Sequence, residues 1–276
     1  MRMNKFILTE GYRSRPIESD WALNYIEKNC MKTYNQNWRM YRGVDVGNTQ
    51  FHYIDPKSKG ERVSPHAYKN YYNLYFSNSK EWKMYPQRNK SIICGSTESL
   101  ADGYGDTFFV FPEDGSYIGI CPYFDLWASF DKVTNSLDDF NVYFDELLHI
   151  LPDSPTLILS WSDMKDAFNF LDRNKDKILE KLYEGTTHQF LRRFFMTSIK
   201  WFDEDISFEK ALDDALSPKK NGFQLIRSGD PKPSILSKDD NECWTDGICI
   251  LVPVHRQYLK IIEDRFGKLK GRKDEL

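Results

Sequence analysis

Between Pro122 and Pro218 the chain changes its apolar period, and this limits the folds open to it more than any single motif. Apolar residues recur at helical spacing from about Ser136 to Leu151, from Ser162 to Tyr183 and from His188 to Trp201, with a shorter stretch from Phe208 to Leu216. The clearest stripe is Met164, Phe168, Leu171, Ile178 and Leu182, opened by the capping sequence Ser160-Trp161-Ser162-Asp163. On both flanks the pattern is extended: Trp38 to Val46, Ser91 to Cys94, Thr107 to Phe111, Ser116 to Cys121, Gly222 to Arg227 and Cys243 to Val254. Strands on either side of a helical block predict an α+β protein, a mixed β core carrying a helical insertion. The expected layout is a single composite domain over 1–276, in which 1–129 form the first half of the core, 130–217 the insertion and 218–276 the strands that complete the core.

Turn signals refine this layout. Pro112-Glu113-Asp114-Gly115 between two apolar runs predicts paired or neighbouring strands, and Asp246-Gly247 suggests a hairpin or a bulged strand. Ser19 to Met31, with Ser19-Asp20 as cap, reads as a bracing helix and Tyr258 to Leu269 as a terminal helix, while Tyr68 to Phe76 fits either helix or strand.

Charge and cysteine usage exclude several classes. Lys and Arg number 38 against 41 Asp and Glu, a formal charge of −3, so no global pull toward nucleic acid or an anionic membrane follows. Five scattered cysteines, never in a CxxC pair, argue against a disulfide framework or a zinc site and fit a reducing compartment. The five histidines are far apart and form no HExxH motif. No apolar run approaches the roughly 18 residues of a membrane span, and no signal peptide is readable. Lys273 to Leu276 spell KDEL, which is similar to a retrieval address of the endoplasmic reticulum; without a readable signal peptide the expectation is coincidence.

Three islands carry the candidate chemistry: Tyr41-Arg42-Gly43, the corner Cys94-Gly95-Ser96-Thr97 after an apolar run, and Asp240-Asn241-Glu242 before another. An arginine beside a glycine lets backbone approach while the guanidinium forks onto phosphate oxygens. Small hydroxyls shape a pocket, and a carboxylate such as Glu242 can orient a ribose hydroxyl and stabilise an oxocarbenium-like centre as a glycosidic bond breaks. Aromatics, 15% of the chain and dense from Tyr68 to Tyr85, could line a pocket for a planar ring or simply form core. Taken singly, the Ser96-Thr97 corner also reads as a helix cap and Glu242 as a solvated acid.

In their order and spacing the islands, with Ala101, Tyr104 and Gly105 after the corner, resemble the Arg–Ser–Glu class of mono-ADP-ribosyltransferases, among them tailed-phage enzymes of the Alt and Mod kind and bacterial ADP-ribosylating toxins. The resemblance implies a split core of two small packed sheets and NAD as substrate. It implies that Arg42, next to Gly43, contacts the NAD phosphates, that Ser96 and Thr97 support the nicotinamide pocket beside aromatics such as Tyr72, that Glu242 drives transfer, and that Asp240 positions the acceptor. A phage setting is implied too, with a host protein as acceptor, the host cytoplasm as location and the virion as a carrier that this setting allows. The chain departs from the family pattern at two places. For Ser-x-Ser it reads either Cys94-Gly95-Ser96 or Ser96-Thr97-Glu98, and Asp240 stands where the family has Glu or Gln, which leaves the acceptor residue open. The alternative is a catalytically inactive binding or virion structural protein on the same scaffold.

Overall fold

Among the described residues nine strands build one sheet: β1 (Arg15–Pro16), β2 (Met40–Val44), β3 (His52–Ile54), β4 (Ile92–Gly95), β5 (Asp106–Pro112), β6 (Tyr117–Ile120), β7 (Gln224–Arg227), β8 (Glu242–Thr245) and β9 (Cys249–Pro253). The computed structural model describes residues 14–45, 50–58, 71–130, 137–155, 157–184, 189–202, 205–237 and 240–269; Tyr68 and the KDEL tail lie outside them. The strand order is β1-β3-β9-β5-β2-β4-β8-β6-β7. With about 47% helix and 17% strand, the protein is α+β.

Two parts of the expectation need correction. The strand pairings among the described residues are all antiparallel rather than mixed, and they form one sheet rather than two small packed ones. The sheet nevertheless consists of two ribbons, β1-β3-β9-β5-β2 and β4-β8-β6-β7, and their register joins them at one residue pair, Tyr41 with Gly95.

The same division explains why neither turn closes the expected hairpin. β5 pairs with β2 and β9, and β6 with β7 and β8, so the Pro112–Gly115 turn carries the chain from one ribbon to the other. The Asp246-Gly247 turn likewise leads from β8 in one ribbon to β9 in the other. The two crossings run side by side: the Glu113 N–H donates to the Ile248 carbonyl at 2.9 Å, and a Cβ on Gly247 would stand 2.3 Å from the Ser116 hydroxyl. Turn chemistry reports that a chain reverses; it does not report which strand it joins.

Continuous apolar runs in β5 and β9 follow from burial on both faces, with side chains alternating between two cores. Phe109, Phe111, Ile250 and Val252 pack with Ala22, Leu23 and Ile26 of α1 (Ser19–Asn29) and with Leu259 and Ile262 of the last helix, Arg256–Phe266. Phe108, Val110, Cys249 and Leu251 face the other way, against Met40, Ile92, Cys94, Ile118, Ile120 and Cys243. Exposing such surface costs about 25 cal/mol per Å². α1 starts after Glu18 with no side-chain cap, so Ser19-Asp20 lies inside the first turn instead of capping it.

The chain divides into two compact units. The sheet belongs to the unit Met1–His66, Tyr85–Asp125 and Gln224–Leu276. The other unit, Ala67–Met84 with Leu126–Phe223, is helical and takes in a segment that the sequence assigns to the first half of the core. In chain order the remaining helices are α2 (Met31–Asn35), α3 (Tyr71–Asn78), α4 (Glu98–Asp102), α5 (Leu137–His149), α6 (Trp161–Arg173), α7 (Lys175–Glu184), α8 (Gln189–Arg193), α9 (Phe208–Ala215) and α10 (Arg256–Phe266). The helical unit closes on aromatic contacts, Phe144 with Tyr71, Phe168 and Phe208, and on Asp172, which accepts from the Trp201 indole at 3.0 Å and from the Phe208 N–H at 2.8 Å. Its α6 opens with a reciprocal capping box between Ser160 and Asp163.

Candidate functional site

The three sequence islands fall on three neighbouring strands, β2, β4 and β8. One register row runs across them: Tyr41 stands opposite Gly95, and Gly95 opposite Glu242. Two strand spacings of about 4.8 Å therefore separate the Arg42 strand from the Glu242 strand.

Arg42 is half-buried and pairs in register with Phe108 of β5. Beyond the Tyr41–Gly95 pair the strands β2 and β4 have no further register, and there the Arg42 guanidinium donates to the carbonyl of Ile93. A side-chain donor thus supplies a bond that a continuing ladder would have supplied from backbone. Strand pleating puts Arg42 and Phe108 on one side and Tyr41, with Glu242 in its row, on the other.

Gly43 lies close against α4. A Cβ there would lie 2.1 Å from the Ala101 carbonyl and 2.8 Å from Cβ of Tyr104, so the vacancy is filled by α4 and the residues after it. The glycine admits the protein's own helix. Gly95 acts similarly, since its Cβ would come within 2.6 Å of Cβ of Leu100.

Ser96, Thr97 and Asp240 are joined directly. The Ser96 N–H donates to the Asn241 carbonyl at 2.8 Å, and the Asn241 N–H returns a bond to the Ser96 hydroxyl at 2.8 Å. Thr97 occupies the N-cap position of α4, yet its hydroxyl makes no cap bond; it donates to Asp240 Oδ1 at 2.7 Å, and Ser99 reaches Oδ2 at 3.5 Å. Asn241 is fully buried: its amide donates to the carbonyls of Cys121 and Pro122, and Oδ1 has no partner among the described residues.

Glu242 is 9% exposed and opens β8. Both its oxygens accept from Arg88, Oε1 from Nη1 and Oε2 from Nη2 at 3.1 Å, and the Cys121 thiol lies 3.6 Å from Oε1. Burial opposes the charge on Arg88, but Glu242 outweighs it and holds the guanidinium above its usual range. Opposite Glu242 stands Gly95, so neither serine alignment in the corner puts a hydroxyl there. Cys94 faces Cys243 instead, and burial pushes its thiol up to about 12, with the Arg42 charge opposing.

Arg88 is the functional candidate that the sequence does not disclose. It lies in Gln87-Arg88-Asn89-Lys90, a polar stretch with no periodicity, and forms one turn of 3-10 helix. Tyr72 belongs to the helical unit, where it is buried with its ring edge-on to Trp127 at 4.8 Å. Its neighbours Tyr71, Tyr75 and Phe76 are also buried there, so the aromatic run serves as helical core.

Two concavities lie away from these residues. One of about 630 Å³ is lined by His255, Arg256, Gln257 and Lys260, and one of about 340 Å³ by Met31, Lys32, Asn35, Gln36 and Gly229. Among the described residues no group of three or more His, Cys, Asp or Glu side chains is placed to hold a metal ion, and no helix is long and apolar enough to cross a membrane. No protein-family model, curated protein or solved structure matches the chain.

Proposed function

We propose that the sheet unit is an NAD-dependent mono-ADP-ribosyltransferase that passes ADP-ribose to a protein acceptor, or to water. The observation that carries the reading is the adjacency of β2, β4 and β8, which gathers an arginine, a hydroxyl corner and two carboxylates from islands far apart in the chain. In this reading Arg42, at the opening between β2 and β4, holds the pyrophosphate. Ser96 and Thr97 shape the nicotinamide side of the site. Glu242 stabilises positive charge at the ribose. The bond from ribose C1′ to the nicotinamide nitrogen breaks, and its electron pair leaves with neutral nicotinamide. A lone pair of the acceptor closes on C1′, and the acceptor proton passes to Asp240 or to solvent. The resemblance to tailed-phage enzymes makes a host protein the acceptor and the host cytoplasm the setting.

A second reading is favoured by specific contacts. Both oxygens of Glu242 are held by Arg88, its side chain is only 12% exposed, and it alternates in the pleat with Arg42. A catalytically silent binding or virion protein would tolerate all three features. The test is incubation with NAD carrying a label on the adenylate half, with host lysate as acceptor, while nicotinamide release is followed. Transfer or release that disappears in folded Glu242→Ala supports the enzyme. Neither product from wild-type protein, together with no heat on calorimetric titration with NAD, supports the silent scaffold.

A further inference from the structure

We infer that Arg88 is a positioning residue for Glu242, pairing the buried carboxylate and aiming it; as a role in catalysis this rests on the transfer reading above. The guanidinium meets both carboxylate oxygens, and both side chains are nearly buried, 13% and 12% exposed. A two-point contact fixes direction as well as charge.

The segment that delivers Arg88 is itself tied to the strand that bears Glu242. The indole of Trp244, two residues along β8, donates to the Pro86 carbonyl at 2.8 Å, and Tyr85 stacks on the same indole at 6.0 Å. The Ser91 hydroxyl and the Lys90 N–H both donate to the Gln87 carbonyl, at 2.7 and 2.9 Å, and close the turn around Arg88. Trp244 lies flat across Gly119, where a Cβ would stand 2.3 Å from its ring. Arginine and carboxylate are therefore anchored to one another through β8 before any ligand arrives.

The cysteines beside the pair do not supply that charge. Cys121 approaches Oε1, Cys94 stands beside its register row on β4 and Cys243 follows it on β8; burial raises the thiols of Cys94 and Cys243 and keeps them neutral. Asp125 acts on Arg88, and Arg42 acts on Cys94. A buried carboxylate that loses its paired cation is left as an uncompensated charge, which favours its neutral form. Once neutral, it no longer stabilises a developing oxocarbenium ion.

The experiment uses the full chain as wild type, Arg88→Gln and Arg88→Lys, with nicotinamide release from NAD measured across pH. Carbon-13 NMR of glutamate-labelled protein reads the titration of Glu242 without turnover, with Glu242→Gln to assign the signal. Expected for Arg88→Gln is a fall in kcat of about 10²-fold with KM little changed, an acid limb displaced upward, and a higher NMR midpoint. Arg88→Lys keeps the limb in place and recovers part of kcat, because it restores charge without the two-point contact. Unchanged kcat and limb in folded Arg88→Gln overturn the inference, as does a rise in kcat, which would mean that the guanidinium masks the carboxylate. If wild type releases no nicotinamide, the transfer reading falls, and the NMR midpoint then judges the pairing alone: an unchanged midpoint overturns it, and a raised one supports it.

Discussion

Replacing Gly43 by alanine tests the seating of α4 on β2 against the idea that the glycine makes room for a ligand. The new Cβ would lie 2.1 Å from the Ala101 carbonyl oxygen, 2.8 Å from Cβ of Tyr104 and 3.0 Å from its carbonyl carbon. Two of these three atoms are backbone, so no rotamer change relieves the clash; α4 must move or β2 must bend. Overpacking of this kind costs about 1–3 kcal/mol, and the rigid neighbours place Gly43→Ala near the top of that range. For a chain of this size that corresponds to a fall in Tm of roughly 5 °C. The assay is urea denaturation with Gly103→Ala as control. Gly103 closes α4 at φ −67° in the right-handed region, and nothing lies within 4 Å of a Cβ there, so its substitution should stay within about 0.5 kcal/mol of wild type. A Gly43→Ala protein with the wild-type urea midpoint would refute the packing argument. If that protein also lost affinity for NAD, the glycine would belong to a ligand after all.

The Arg88–Glu242 pair should show strong coupling in a double-mutant cycle: Arg88→Met leaves a buried carboxylate alone and costs about 3–5 kcal/mol, whereas Arg88→Met with Glu242→Gln recovers most of that loss in urea denaturation. All five cysteines are free and buried, so a thiol reagent at about pH 8 should label none in the folded protein and all five in denaturant; labelling of native Cys94 would contradict its burial. Ser160→Ala removes the cap of α6 and should lower stability by about 1 kcal/mol in the same assay. The Leu159 N–H, then the hydroxyl and N–H of Ser160, hold the Asp163 carboxyl below its usual range. That contribution is present above the unfolded carboxylate range and fades as pH falls through the lowered folded value, so Asp163→Asn should flatten the acid side of the stability curve.

Local signals carried the element types well. The expected stripe from Met164 to Leu182 falls on two helices, α6 and α7, that meet at Asn174; the capping sequence at Ser160 opens α6 with a real capping box, and the apolar runs at Phe108 and Ile250 are strands. In Tyr71, Tyr72, Tyr75 and Phe76 the burial repeats at helical spacing, which the sequence did contain although ring density there suggested a pocket. The pairing of strands lay beyond reach. Pro112–Gly115 and Asp246-Gly247 are good turn sequences, but each carries the chain between ribbons, and the reason is two crossings packed on each other through Ser116 and Gly247. Continuity of the apolar runs was the available clue, since a strand buried on both faces lies inside a sheet and not at the lip of an exposed hairpin.

The candidate site was legible as residue types, while its bonding was not, because Arg42, Thr97 and Glu242 each bond within the protein. Arg42 is engaged by Ile93, Thr97 by Asp240 and Glu242 by Arg88. A ligand that takes one of these groups from its present partner meets a different cost at each, and their surroundings rank the exchanges. Thr97 and Asp240 meet in exposed surroundings, where water replaces either partner and a single bond is worth about 1 kcal/mol. Arg42 gives up one backbone acceptor at the opening between two strands, and a phosphate would return a stronger, charge-assisted bond. Separating Arg88 from Glu242 would leave two nearly buried charges unpaired, at several kcal/mol. Binding that draws on this corner therefore opens Thr97–Asp240 first and Arg42 next, and it leaves the Arg88–Glu242 pair intact, so that any catalytic use of Glu242 is made with its arginine still attached.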